Sequence, residues 1–302
     1  MDENRLRSLR PTLSRDAVSY IRRGAIATLA LAIVLSTASS ASATSLQDLQ
    51  GGNVYALTSD NELLRFRERT PFILRMKRKI SGTDGTLIGI DFRPANQKLY
   101  GVSKSGVIYT IDPSSAVATR VAQMNVGIEG STFGFDFNPN ADRLRIVSDA
   151  DQNLRVNVDS GETTQDGRLA YADNDRNKGQ NPRVGGAGYT NPDTDPNTPT
   201  TLFDVDSTTD SLVRQDPPND GKLNTIGKLG VNTGEIVGFD IRSDGRALAA
   251  LSPGRSPTRL YSVNLDTGDA RLLGRIGLRE EVRGIAAPLS GAAATEGDAD
   301  DD

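Results

Sequence analysis

Five times along this chain a glycine opens a short apolar strand, and the spacing of those strands restricts the fold more than any other feature. The copies read Gly89-Ile90-Asp91-Phe92, Gly134-Phe135-Asp136-Phe137, Gly188-Tyr189, Gly238-Phe239-Asp240-Ile241 and Gly284-Ile285-Ala286, at steps of 45, 54, 50 and 46 residues. A period of about 40 to 50 residues filled with short strands is the signature of a β-propeller, because a four-stranded sheet buries both faces only when neighbours pack on either side. The expected fold is therefore all-β, a propeller of five four-stranded blades, or six if the long fourth unit conceals an extra sheet.

Within each unit the glycine strand is followed by a Pro/Asn/Asp turn, a second apolar strand, and a third strand of alternating pattern such as Val107-Ile108-Tyr109-Thr110-Ile111. Alternation with period two argues for strand over helix. Asp-led turns such as Asp159-Ser160-Gly161 end the third strands, since Asp bonds its own backbone and Gly accepts positive φ. The first copy lacks its opening strand: Val54-Tyr55-Ala56-Leu57 already looks like a second strand. Residues 282–289 form an opening strand with no successors, so they are expected to complete the N-terminal blade and close the ring, removing an open sheet edge.

The chain has an N-terminal address. Arg22 and Arg23 precede an apolar run at 25–35, the length of a signal-peptide core and too short for a bilayer, and Ala41-Ser42-Ala43 matches a cleavage site. Residues 1–43 are thus expected to be a signal peptide, 44–52 a linker, 53–290 the propeller, and 291–302 a disordered acidic tail. The product is expected in the periplasm or outside the cell, with no membrane insertion after cleavage. Six of the 35 basic and three of the 39 acidic residues lie in the leader, leaving the remainder near −7, which disfavours a nucleic-acid partner.

The chain has no Cys and no His. Thiolate metal sites, cysteine nucleophiles, Ser-His-Asp triads and histidine-zinc sites are thereby excluded, and any catalysis must use carboxylates, Lys, Tyr or an oxygen-bound metal.

Several stretches resemble the bacterial DUF4394 family: Gly89-Ile90-Asp91-Phe92-Arg93-Pro94 with Leu99-Tyr100-Gly101, Phe133 through Pro139, Asp142-Arg143-Leu144-Arg145, Gln152-Asn153-Leu154-Arg155 and Pro217-Pro218-Asn219-Asp220-Gly221. The likeness covers about residues 53–288. It implies an exported, propeller-like protein, and the family, a domain of unknown function, offers no catalytic residues to carry across.

Three sets of residues are candidates for chemistry. The repeated Asp91, Asp136 and Asp240 share a strand face with their glycines and are expected to accept backbone hydrogen bonds at blade junctions, rather than to form a carboxylate ring round a central channel. Asp173, Asp175 and Asn177 carry the alternating oxygen spacing of a calcium loop, although Val184 stands where an EF-hand has its bidentate Glu. Asp193-Thr194-Asp195-Pro196-Asn197 and Asp149 to Asn153 repeat that spacing. Arg143, Arg145 and Arg155 could grip a carboxylate or sugar acid, or pair across a junction with Asp136 or Asp142. The leading expectation is a non-catalytic binding or scaffold module for a small molecule, glycan or protein. The alternative is a calcium-dependent propeller hydrolase of lactone or sugar type, which needs acidic ligands converging on the channel.

Overall fold

Short apolar runs separated by Asp, Asn and Gly turns dictate hairpins, and the chain is built from hairpins throughout. The computed structural model describes residues 51–289 apart from 196, 255 and 256; the expected signal peptide and acidic tail lie outside the described residues. Blade 1 contains β1 (Asn53–Thr58), β2 (Glu62–Arg67) and β3 (Thr70–Lys79). Blade 2 contains β4 (Leu87–Phe92), β5 (Leu99–Ser103), β6 (Val107–Ile111) and β7 (Ala118–Gln123). Blade 3 contains β8 (Phe133–Asn138), β9 (Arg143–Ser148), β10 (Asn153–Val156) and β11 (Thr163–Gln165). Blade 4 begins with the two-residue β12 (Ala170–Tyr171), then β13 (Val184–Tyr189), β14 (Leu202–Asp206), β15 (Ser211–Gln215) and β16 (Lys222–Lys228). Blade 5 contains β17 (Val237–Ile241), β18 (Ala247–Leu251), β19 (Arg259–Val263) and β20 (Ala270–Arg275).

The last strand, β21 (Val282–Ala286), leaves blade 5 and pairs antiparallel with β1, with Tyr55 opposite Ala286 and Ala56 opposite Ile285. The orphan strand near the C-terminus thus supplies the inner strand that the N-terminal blade lacks, as the offset of the first copy requires. Five sheets result. The long fourth unit hides no sixth sheet among the described residues: its extra strand, β12, adds in parallel to the outer edge of blade 4 through Tyr171 opposite Leu223.

Side chains that point away from one blade meet those of the next, so the core is a ring of five inter-blade clusters. Leu57 and Leu63 meet Leu87 and Ile90; Tyr100 and Ile108 meet Phe135 and Ile146; Val147 meets Ala187 and Val213. Phe203 and Val205 meet Phe239 and Leu251, and Leu248 and Leu260 meet Val54 and Ile285, which closes the circle. Each wholly buried Leu, Ile or Phe contributes roughly 1.5–3 kcal/mol, so a chain without disulfides can rely on this ring.

The repeated glycines let the inner strands approach. A Cβ on Gly89 would lie 2.5 Å from the Phe135 Cβ, one on Gly134 2.6 Å from the Ala187 Cβ, and one on Gly186 2.7 Å from the Phe239 Cβ. The last distance corrects the sequence reading. The fourth copy is Gly186-Ala187-Gly188-Tyr189, two residues earlier than Gly188-Tyr189, and the steps even out to 45, 52, 52 and 46 residues.

Candidate functional site: an arginine-lined cavity between blades 3 and 4

Once the copies are aligned in this way, the position after each Asp-apolar pair decides how a junction is sealed. Arg93 occupies it in blade 2, and its guanidinium crosses to blade 3, donating to Asp142 at 2.8 and 2.5 Å and to Asp159 at 2.8 Å. In blade 5 the same position is Arg242, which reaches blade 1 and donates to the Asn53 carbonyl. In blade 3 the position is Asn138. Its short side chain folds back on its own turn, where Oδ1 accepts the N–H groups of Asn140 and Ala141 at 3.0 and 2.9 Å. With no arginine to fill the gap, the junction between blades 3 and 4 holds a cavity of about 190 Å³ lined by Asn138, Ala141, Arg143, Arg145, Arg155, Tyr189, Pro218 and Asn219.

Arg145 organises this cavity. It lies on β9, directly opposite Asp136 on β8, and is 2% exposed. All of its donor nitrogens are used: Nε to the Tyr189 hydroxyl at 3.3 Å, Nη1 to Asn153 and Asp166 at 2.7 Å each, and Nη2 to the Asn219 Oδ1 at 2.9 Å. Arg155, on β10, donates to the same Asp166 from Nε and Nη2 at 2.6 and 2.9 Å, and that carboxylate holds its guanidinium above its ordinary pKa. Arg143 is the exception. Its Nη1 donates to the backbone carbonyls of Ala141 and Asp142, and among the described residues it forms no ion pair.

The expected pairing of these arginines with Asp136 or Asp142 is therefore corrected: Asp166 pairs with both Arg145 and Arg155, and Asp142 belongs to Arg93. Asn219 reaches the cavity because the β15–β16 turn of blade 4 leans over blade 3, where the Gly167 N–H bonds the Asn219 carbonyl and Asn153 Nδ2 bonds the Pro218 carbonyl. Tyr189, Asn219 and Asp166 escaped sequence reasoning. The available signal was the Arg, Asn, Arg series at positions 93, 138 and 242.

The repeated aspartates lie on the same faces but deeper. Asp91 accepts the Phe137 N–H at 2.9 Å, Asp136 the Tyr189 N–H, and Asp240 the Ala287 N–H, so each pins its own inner strand to the next one, as expected for a junction residue. They also converge. Carboxylate oxygens of all three lie within 4.8 Å of one another and all three residues are buried, an arrangement that the sequence reading set aside. Burial, then neighbouring carboxylates, pushes Asp91 and Asp136 well above the usual carboxylate range; burial raises Asp240 to about 6. Near the axis, spaces of about 20 and about 10 Å³ are lined by residues of the inner strands, Arg283 among them.

Of the calcium-loop candidates, Asp173, Asp175 and Asn177 lie between β12 and β13, Asp193 to Asn197 between β13 and β14, and Asp149 to Asn153 at the β9–β10 turn. Asp173 pairs with Lys178 at 3.0 Å in the open. Asp175 is turned inward, its Oδ1 accepting the Asn177 N–H and the Thr225 hydroxyl, while Asn177 Nδ2 donates to that hydroxyl. Asp195 accepts the Asn197 N–H in its own turn, and Asp149 accepts the N–H groups of Ser131 and Thr132.

This chain belongs to the DUF4394 family, described as a domain of unknown function, whose model matches residues 62–286. No curated protein matches. Among solved structures it is similar to a structural-genomics protein of unknown function from Bacteroides thetaiotaomicron, with 16% identity and a TM-score of 0.49 over 80% of this chain and 62% of that one. It is also similar to TolB from Acinetobacter baumannii, with 12% identity and a TM-score of 0.41 over 76% of this chain and 54% of that one. A chain of a nidogen/laminin complex matches with 14% identity and a TM-score of 0.46, over 80% of this chain and 99% of that one. This chain thus spans only part of the first two, and at these scores none bears on what it binds.

Proposed function

We propose that this protein is an exported, non-catalytic binding propeller whose ligand is a small organic anion held between blades 3 and 4. The observation that carries the reading is the chemistry of the cavity wall. Among the described residues Arg143 forms no ion pair, and a single carboxylate, Asp166, is the ion-pair partner of both Arg145 and Arg155, so positive charge is left over at a concave site. Guanidinium groups beside a preformed cavity suit a carboxylate, which they can bind through two parallel N–H donors. A volume of about 190 Å³ suits a small molecule and not a polymer.

The hydrolase reading draws on the convergence of Asp91, Asp136 and Asp240. Spaces of about 10 and 20 Å³ in the adjoining channel hold a water molecule and not a sugar or lactone, so the binding reading is preferred. The test is isothermal titration of the purified protein with propionate and benzoate. Saturable one-to-one binding that is lost in Arg143→Gln supports an anion site here. Absence of binding, or binding unaffected by the substitution, refutes it.

A further inference from the structure

The internal hydrogen bonds of the cavity wall fix which atoms are left for a ligand. The Asn219 Oδ1 faces Arg145, a group that only donates, so the amide cannot be turned and its Nδ2 remains free. The Asn138 Oδ1 faces two backbone N–H groups, which fixes its Nδ2 in the same way. The Tyr189 oxygen accepts from Arg145, which leaves its hydroxyl proton to donate. The wall's carbonyls are already engaged: Ala141 by Arg143, and Pro218 by Asn153 and Gln215. The polar hydrogens left unpaired at this wall belong to Arg143, Arg155 Nη1, one Nη2 hydrogen of Arg145, the two amides and the tyrosine hydroxyl, whereas its oxygens already accept at least one bond each.

Charge narrows the ligand further. Arg93, Arg143, Arg145 and Arg155 are set against Asp142, Asp159 and Asp166, an excess of one positive charge. Two more carboxyls lie near, and burial disfavours their charged forms. Burial pushes Asp204 and Asp136 well above the usual carboxylate range, and Asp204 is wholly buried with neither oxygen hydrogen-bonded.

Resting on the anion-binding reading, we infer that the ligand is a monocarboxylate whose other polar atoms are acceptors only, the class of the 2-oxo acids. Its carboxylate takes the cationic donors, and its keto oxygen takes the neutral ones. A 2-hydroxy acid of the same size brings a hydroxyl proton that must share an oxygen already accepting a bond, such as the Asn219 Oδ1, so a wall rich in unpaired donors favours the oxo acid. Arg145 acts as a positioning residue, because four of its five N–H donors are spent on orienting Tyr189, Asn153, Asp166 and Asn219.

The experiment compares matched pairs by isothermal titration of the purified protein: pyruvate against lactate, and 2-oxobutyrate against 2-hydroxybutyrate. The oxo member should bind about tenfold more tightly, and Tyr189→Phe, which removes one neutral donor, should narrow that ratio while circular dichroism remains unchanged. Equal binding of both members, lost in Arg143→Gln, overturns the oxo-acid inference and leaves the anion site standing. Binding of neither member, or binding indifferent to Arg143→Gln, overturns both. Tighter binding of 2-oxoglutarate than of pyruvate overturns the single-charge argument.

Discussion

Replacing Asp240 by Asn should make the protein less stable in acid and more stable above neutrality. Two opposing effects meet at this residue. Its Oδ2 accepts the Ala287 N–H immediately after the closing strand, and its carboxylate also accepts the Ile241 N–H, so an amide keeps one bond and loses the other at a cost of about 1 kcal/mol. Against that, burial raises its pKa from 3.8 to about 6. A group whose folded pKa lies above its unfolded value contributes stability that is complete below the unfolded pKa and is lost as pH rises through the folded one. At about 1.4 kcal/mol per unit, ionising Asp240 in the folded state therefore removes about 3 kcal/mol between about pH 3 and pH 8. Asp240→Asn has no such charge, so it should be about 1 kcal/mol less stable than the parent at about pH 3 and about 2 kcal/mol more stable at pH 8. Relief of the repulsion on Asp91 works in the same direction. Urea denaturation of both proteins across this range measures the difference. Parallel stability curves would refute the argument, because they would mean that the carboxylate ionises in the fold as freely as in water.

Three further outcomes follow from the blade junctions. Gly134→Ala should cost about 1–3 kcal/mol in urea denaturation, since its Cβ would sit 2.6 Å from both Ala187 and Val147, whereas Gly85→Ala, with nothing within 4 Å, should be neutral. Arg93→Met should destabilise by about 1–2 kcal/mol, at the low end for a buried ion pair, because the abandoned Asp142 and Asp159 are 36% and 62% exposed and reach water. Deleting everything after Gly277 removes β21 and opens the ring at blade 1, so cooperative thermal unfolding should be lost; a variant that melted like the parent would show that closure contributes nothing.

Ring closure was legible in the sequence because a strand with glycine-led pattern and no successors has one economical place to go, and residues 282–286 take it. The fourth copy was misplaced for a specific reason: Val184-Gly185-Gly186-Ala187-Gly188 offers glycines two apart, both fit a period of two, and what distinguishes them is that a Cβ on Gly186 would meet the Phe239 Cβ at 2.7 Å, whereas one on Gly188 would meet only the Phe239 ring and Ile241, at 3.1 Å. The junction role of the aspartates could be read from the face they share with glycine. Their convergence could not, since it depends on five inner strands meeting round one axis and on Gly188 and Ala286 standing where the ring would otherwise carry two more carboxylates. The arginines of the cavity were visible as a group. Their partner Asp166 and the neutral donors Tyr189 and Asn219 were not, because they come together only when the β15–β16 turn of blade 4 docks on blade 3.

The central claim, an anion site between blades 3 and 4, is tested most directly by a crystal structure of the protein grown with pyruvate. The account predicts a carboxylate within hydrogen-bond distance of Arg143 or Arg155, and a keto oxygen facing Tyr189, Asn219 or Asn138. An empty cavity at saturating ligand, or pyruvate bound elsewhere on the propeller, would contradict it.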